Sequence, residues 1–304
     1  MTRCFACAAP LAGDWTRYHG KCLQDLFGTS TLPKFDVDLA RLHTLALAMV
    51  GRVSLSGVQR KLSVHLDATR ATLQVAVANG RYLLKPQAGT FPNLPENEWV
   101  TQRLAALAGI EVPPSALVEL PDGTWAYVVR RFDRTDAGGK SGMEDFCQLA
   151  GLPPSGKYDG SAERCGKLVA RFASAPLVDL LRLYRQFVFT WWVGNGDLHL
   201  KNLALLRDAD GRWRLSPAYD QLNTRLVLPD DPLAMPICGK KDNLKPGAWR
   251  ELAERFGIGA KAAARVHADL RLVVPDAVEL VNACPLPETM RKAYVELLVA
   301  RAPQ

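Results

Sequence analysis

The 304-residue chain is 48% hydrophobic and 23% charged, a globular composition without repeat or low-complexity tract that excludes disorder, collagen and coiled coil. Its 38 Lys and Arg exceed its 31 Asp and Glu by seven, which suits contact with nucleotides, nucleic acid or acidic proteins. The basic residues are scattered rather than gathered into a stripe, so direct nucleic-acid binding is not expected.

The first ten residues lack the apolar run of a secretory signal. Seven cysteines, an odd number, suit reduced thiols, so a cytoplasmic location is expected. Cys4-x-x-Cys7 and His19-x-x-Cys22 then place four metal-ligand side chains close together in sequence. Tetrahedral Zn²⁺ accepts three Cys and one His, so residues 1–33 read as a small zinc knuckle. The competing reading is that these are ordinary small core residues.

From Lys61 to Lys85, apolar and polar residues alternate, with turn signals at Asp67 and Asn79-Gly80, predicting three short antiparallel strands. Pro95-Glu96-Asn97-Glu98 opens a run of helical spacing through Trp99, Val100, Leu104, Leu107 and Ala108 that stops at Gly109. Ala116–Leu120 and Trp125–Arg131 flank Pro121-Asp122-Gly123 as a hairpin. Beyond a Gly-rich loop from Ala137 to Gly142, helices are predicted near Glu144–Ala150, Ser161–Ala173 and Pro176–Val193. The last of these covers the most apolar stretch, but Asp179, Arg182, Arg185 and Gln186 interrupt it, so it reads as a core helix rather than a membrane span. A second hairpin, Leu203–Leu206 with Arg212–Leu215, follows, and the chain after Pro246 is helical to Ala300. The expected architecture is α+β: a sheet-rich lobe over 34–131, a helix-rich lobe over 132–304, and a hinge near Arg130–Asp133.

The chemistry concentrates in Gly194-Asn195-Gly196-Asp197-Leu198-His199-Leu200-Lys201-Asn202, just before the second hairpin. A loop that must hold a general base and a metal-binding amide on one turn can place them as Asp-x-x-x-x-Asn, the spacing of Asp197 and Asn202. Asp220 follows the hairpin, where a carboxylate can hold Mg²⁺ between nucleotide phosphates. Lys85 ends a strand and Glu98 begins the next long helix, the order a phosphate-clamping ion pair requires. Each residue alone has an ordinary role as a cap, turn former or solvated strand end; together and in this order they point to phosphoryl transfer. His199 reads as a structural hydrogen-bonder, and Lys240-Lys241 as a solvated loop.

Ser54-Leu55-Ser56-Gly57-Val58-Gln59-Arg60-Lys61-Leu62-Ser63, Tyr82-Leu83-Leu84-Lys85-Pro86-Gln87, Pro95-Glu96-Asn97-Glu98, Val129-Arg130-Arg131-Phe132-Asp133-Arg134, Glu144-Asp145-Phe146-Cys147-Gln148-Leu149, the Asp197 loop and Ser216-Pro217-Ala218-Tyr219-Asp220 together resemble the HipA-like serine/threonine kinase toxins. The closest resemblance is to the short HipT type, which carries Ser-x-Ser before the loop glycine. That resemblance implies a two-lobed, protein-kinase-like fold and an ATP- and Mg²⁺-dependent kinase. Asp197 would be the base and Asn202 and Asp220 the Mg²⁺ ligands, with Lys85, paired with Glu98, on the phosphates. Gly57 would lie in the phosphate-covering loop, Arg130 and Phe132 at adenine and Asp133 on the ribose. Ser54 and Ser56 would be autophosphorylation sites. The implied partners are a protein substrate, an aminoacyl-tRNA synthetase with the tryptophanyl enzyme favoured, and antitoxins of which one binds DNA. The alternatives are a kinase-shaped pseudoenzyme holding such an antitoxin and a kinase of small molecules.

Overall fold

A computed structural model describes residues 3–12, 17–35, 61–67, 69, 71–76, 80–89, 91–135 and 139–303. The expected phosphate loop at Gly57 and the serines Ser54 and Ser56 lie outside the described residues. The chain divides into two compact units, one of residues 1–103, 113–139 and 283–287, the other of residues 104–112, 140–282 and 288–304. Among the described residues, no helix is long and apolar enough to cross a membrane.

In the first unit, α1 (Gly20–Phe27) precedes the strands β1 (Lys34–Phe35), β2 (Leu62–Asp67), β3 (Thr72–Val75), β4 (Tyr82–Pro86), β5 (Ser115–Glu119) and β6 (Trp125–Arg130), which build a six-stranded sheet of order β1-β3-β2-β4-β6-β5. All neighbours pair antiparallel except β1 with β3. The turns follow from local chemistry. Asp67 Oδ1 accepts from the Thr69 N–H at 3.0 Å, closing β2 to β3. Asp122 does the same for Thr124 between β5 and β6, beside Gly123 at a φ of 81°. Gly80 is required where β4 begins, since a Cβ there would lie 2.8 Å from Val64 O and 2.9 Å from Val64 N. Inward-facing Leu62, Val64, Leu73, Leu84, Ala116, Val118, Ala126 and Val128 form one core with Cys4, Ala6, Leu23, Leu26 and Phe27. The Cys/His segment therefore packs onto this unit's core through Cys4 and Ala6, while Cys7 is exposed. Helix α2 (Leu94–Leu107) carries buried Glu98, Trp99, Val100, Thr101 and Gln102.

The second unit is helical around α5 (Pro176–Val193), which follows β7 (Met143–Asp145), α3 (Phe146–Leu149) and α4 (Ala162–Phe172). Strands β8 (Ala204–Arg207) and β9 (Trp213–Leu215) come next, then α6 (Pro246–Arg255), α7 (Ala260–Leu272), α8 (Val274–Asn282) and α9 (Glu288–Ala300). Pro176 starts α5, where its missing N–H costs nothing, and Gly194 ends it at a φ of 72°. Its Leu183, Tyr184, Phe187, Phe189 and Trp192 are buried, and Trp192 Nε1 donates to Leu298 O of α9 at 2.9 Å. Asp179 of α5, wholly buried, accepts from Arg182 at 3.0 Å and from Arg214 of β9 at 2.9 Å.

One expectation fails locally. Glu144–Ala150 reads as helix, yet Met143–Asp145 is a strand paired to β8, completing a sheet of order β7-β8-β9, and only Phe146–Leu149 is helical. Three residues are too few to show alternation, and Asp145 ends the strand because its side chain caps the helix, accepting from the Gln148 N–H at 2.8 Å.

Candidate active site and cysteine–histidine cluster

In the second unit the loop after α5 is fixed by its own polar groups. Wholly buried Asn195 accepts the Asp197 N–H at 3.0 Å and donates to Gln221 at 3.3 Å. The Gly196 N–H donates to Thr224 Oγ1 at 2.8 Å. A side chain at 196 would collide with Asp231 and Pro232 O, so only glycine passes. Buried Asn202 reaches back, its Nδ2 donating to Asp197 O at 2.9 Å. The base candidate and the amide candidate are thereby locked on one turn. The Asp197 side chain is 44% exposed, which leaves it open to a substrate hydroxyl. Asp220 adopts a φ of 53°, in the left-handed region that Asp tolerates, and its charge is felt by His199. Carboxylate and amide oxygens are hard donors and suit Mg²⁺.

Two contacts around this loop escaped the sequence. Tyr158 donates its hydroxyl to Asp197 Oδ1 at 3.0 Å, its ring edge-on to His199 at 5.2 Å. Desolvation first and the Asp197 charge second push its phenol up to about 12, so it stays a donor. Lys201 pairs with Asp145 at 2.9 Å, using the strand that the sequence hid. His199 is buried, and desolvation holds its imidazole below the ordinary range against the raising effect of Asp197. Among the described residues its Nδ1 has no hydrogen-bond partner, so the structural hydrogen bond expected of it is not seen at that atom.

In the first unit, β4 and α2 bring Lys85 and Glu98 into a buried ion pair, each side chain 3% exposed. The β4–β6 register sets Lys85 opposite Tyr127, and its Nζ lies 5.6 Å from that ring's centre. Asp133 is held by both Arg131 (2.9 and 2.8 Å) and Arg134 (2.5 Å). Burial opposes ionisation, but the two guanidiniums outweigh it and keep the carboxyl below the usual range. The Arg130 N–H is engaged by Pro114 O at 2.9 Å, and its side chain donates to Asp25 O at 3.1 Å. Phe132 lies in the turn directly after β6.

The structure gathers Cys4, Cys7, His19 and Cys22 so that their ligand atoms all lie within 4.8 Å of one another. Cys7 Sγ is 3.4 Å and Cys22 Sγ 3.8 Å from His19 Nδ1. His19 Nε2 faces Pro10 O at 3.1 Å; a carbonyl only accepts, so Nε2 carries the proton and Nδ1 offers a lone pair to the cluster. The N–H groups of Ala6 and His19 point at Cys4 Sγ at 3.5 and 3.4 Å. A hydrogen bond from the Cys7 thiol, helped by these amides, holds Cys4 well below the ordinary thiol range. The donor set, tautomer and thiolate-directed amides fit a closed tetrahedral Zn²⁺ site.

A strand lysine paired with a helix glutamate in a sheet-rich unit, and an Asp-to-Asn loop ahead of a hairpin in a helical unit, define a protein-kinase-like fold. The family model for the HipA-like C-terminal domain matches residues 53–278, and the chain belongs to that family. Two Sinorhizobium fredii proteins, Putative kinase Y4mE and Putative kinase Y4dM, are 35% identical over 221 residues and 34% identical over 188. These matches cover 68% and 57% of this chain and 52% and 45% of those proteins, so the chain spans about half the length of the curated relatives it matches. Among solved structures, Shewanella oneidensis HipA, determined with HipB and its operator DNA, gives a TM-score of 0.69 at 22% identity, covering 83% of this chain and 64% of that one. The Helicobacter pylori proinflammatory kinase CtkA gives 0.51 at 16% identity, covering 72% and 86%. Both likenesses concern the fold.

Proposed function

We propose that the chain is an ATP- and Mg²⁺-dependent protein serine/threonine kinase and the toxin of a toxin–antitoxin pair. The observation that carries the reading is the buried Lys85–Glu98 pair. Two charges removed from water cost more than an apolar pair would, so their retention calls for a task, and neutralising nucleotide phosphates is one. Asp197 takes the proton of the acceptor hydroxyl, and Tyr158 and the Asn202 bond hold it in place. Asn202 and Asp220 would hold Mg²⁺, which supplies charge neutralisation at the phosphates. Phosphoryl transfer demands positioning and charge stabilisation rather than covalent chemistry, and these residues supply both.

Ser54 or Ser56 is the self-phosphorylation site in this reading, and a phosphate of charge about −2 there would repel the nucleotide. The Ser-x-Ser pattern supports a HipT-type assignment, with an aminoacyl-tRNA synthetase, the tryptophanyl enzyme favoured, as target. The HipB and operator DNA bound to the Shewanella protein support a DNA-binding antitoxin as partner. The Cys/His cluster holds a structural zinc. Phosphoproteomics of cells expressing wild-type chain or Asp197→Asn tests the reading: new Ser or Thr phosphosites that require Asp197 support it, and identical phosphoproteomes overturn it.

A further inference from the structure

The two residues between the first pair of metal ligands, Phe5 and Ala6, are the ones that grip the helix carrying Glu98. Trp99, wholly buried, donates its Nε1 to Phe5 O at 2.7 Å, and Arg103 donates Nη1 to Ala6 O at 2.8 Å. Positions 99 and 103 are one helical turn apart and share a face, so α2 meets the Cys4-to-Cys7 loop along one line. The Phe5 ring is edge-on to Trp99 at 5.8 Å and to Trp125 at 5.2 Å. The same Ala6 that accepts from Arg103 gives its own N–H to Cys4 Sγ. Any ion that fixes the sulfurs therefore fixes both carbonyls, and Glu98 is the residue next to Trp99.

Arg103 adds an electrostatic link. Its other bond is to Ser115 Oγ at 2.8 Å, its buried Nε has no partner, and no carboxylate pairs with it among the described residues. A guanidinium bonded only to neutral groups needs a counter-charge nearby. Zn²⁺ with three thiolates and a neutral imidazole carries a net charge of about −1 and would provide it.

We propose that the Cys4–Cys7–His19–Cys22 metal site is the anchor of α2: through Phe5 O and Ala6 O it sets the helix that presents Glu98 to Lys85, and Arg103 is the positioning residue that couples and charge-balances the two. This rests on the zinc reading given above. Loss of metal loosens α2 and with it the Lys85–Glu98 pair, so phosphotransfer depends on a zinc that never touches ATP.

The experiment uses the full chain. Metal analysis of protein purified without chelator should find about one zinc per chain. Removing it with a strong chelator should speed hydrogen exchange in 94–107 by about tenfold or more while 176–193 keeps its protection, and added zinc should reverse the change. Arg103→Met should surrender zinc to chelator about tenfold more readily, as outer-shell changes do, and Arg103→Lys should recover most of the hold. A zinc-free wild-type protein, unchanged exchange at 94–107, or equal loss of protection at 176–193 overturns the proposal, as does an Arg103→Met variant that keeps zinc as wild type does. Phosphotransfer is followed alongside; its absence in zinc-loaded protein defeats the kinase reading and leaves the metal and exchange results to judge this one.

Discussion

Lys85 and Glu98 make the sharpest single-residue test of how charge is used. Lys85→Met leaves Glu98 buried without its counter-ion and should destabilise the chain by about 3–5 kcal/mol, measured by denaturant unfolding. Lys85→Met with Glu98→Leu should recover most of that stability yet restore no phosphotransfer; recovery of activity would assign the pair a purely structural part. At this scale the sequence was partly readable. Lys85, Glu98, Asp197, Asn202 and Asp220 are visible because their spacing follows from elements that periodicity predicts. Tyr158 was not, since a hydroxyl reaching Asp197 across 39 positions leaves no local pattern. The arginine clamp on Asp133 is written in adjacent residues, but an Arg-rich stretch reads equally as a solvated turn.

Elements depend on a few backbone positions. Gly80→Ala would press a methyl against Val64 N and O, and such overpacking should cost about 1–3 kcal/mol and loosen β2 against β4; thermal melts and exchange of 62–67 check it. The long elements were legible in sequence. Pro176 and Gly194 bracket α5, and Gly109, at a φ of 69°, ends the α2 segment through the Ile110 N–H bond to Ala105 O at 3.0 Å. Strand β7 was not legible, because three residues beside a capping Asp carry a stronger helix-start signal than a strand signal. The two-residue β1 is illegible for the same reason of length.

On the scale of the whole molecule, two buried imidazoles contribute to acid sensitivity. Burial, aided by Arg271, pushes His267 below the ordinary value of 6.5, and burial does the same to His199. The unfolded chain then binds more protons than the folded one in mildly acidic solution, so the stability these histidines permit is present above about pH 6.5 and lost as pH falls toward their folded pKa values. Melting temperature should drop between about pH 7.5 and about pH 5.5, and less steeply in His267→Gln, which removes one titrating group. A pH-independent melting temperature over that window would show that neither imidazole is held neutral.

The claim on which the functional account turns is that this chain moves a phosphoryl group from ATP to a protein hydroxyl with Asp197 as base. The direct measurement is transfer of label from γ-labelled ATP, with Mg²⁺, into bacterial lysate proteins by purified wild type and by Asp197→Asn of equal melting temperature. The account predicts labelled Ser or Thr with wild type and a fall of about 10²–10⁴-fold in the variant, the range lost with a general base. Equal labelling by both proteins, or none by a folded wild type, would contradict it.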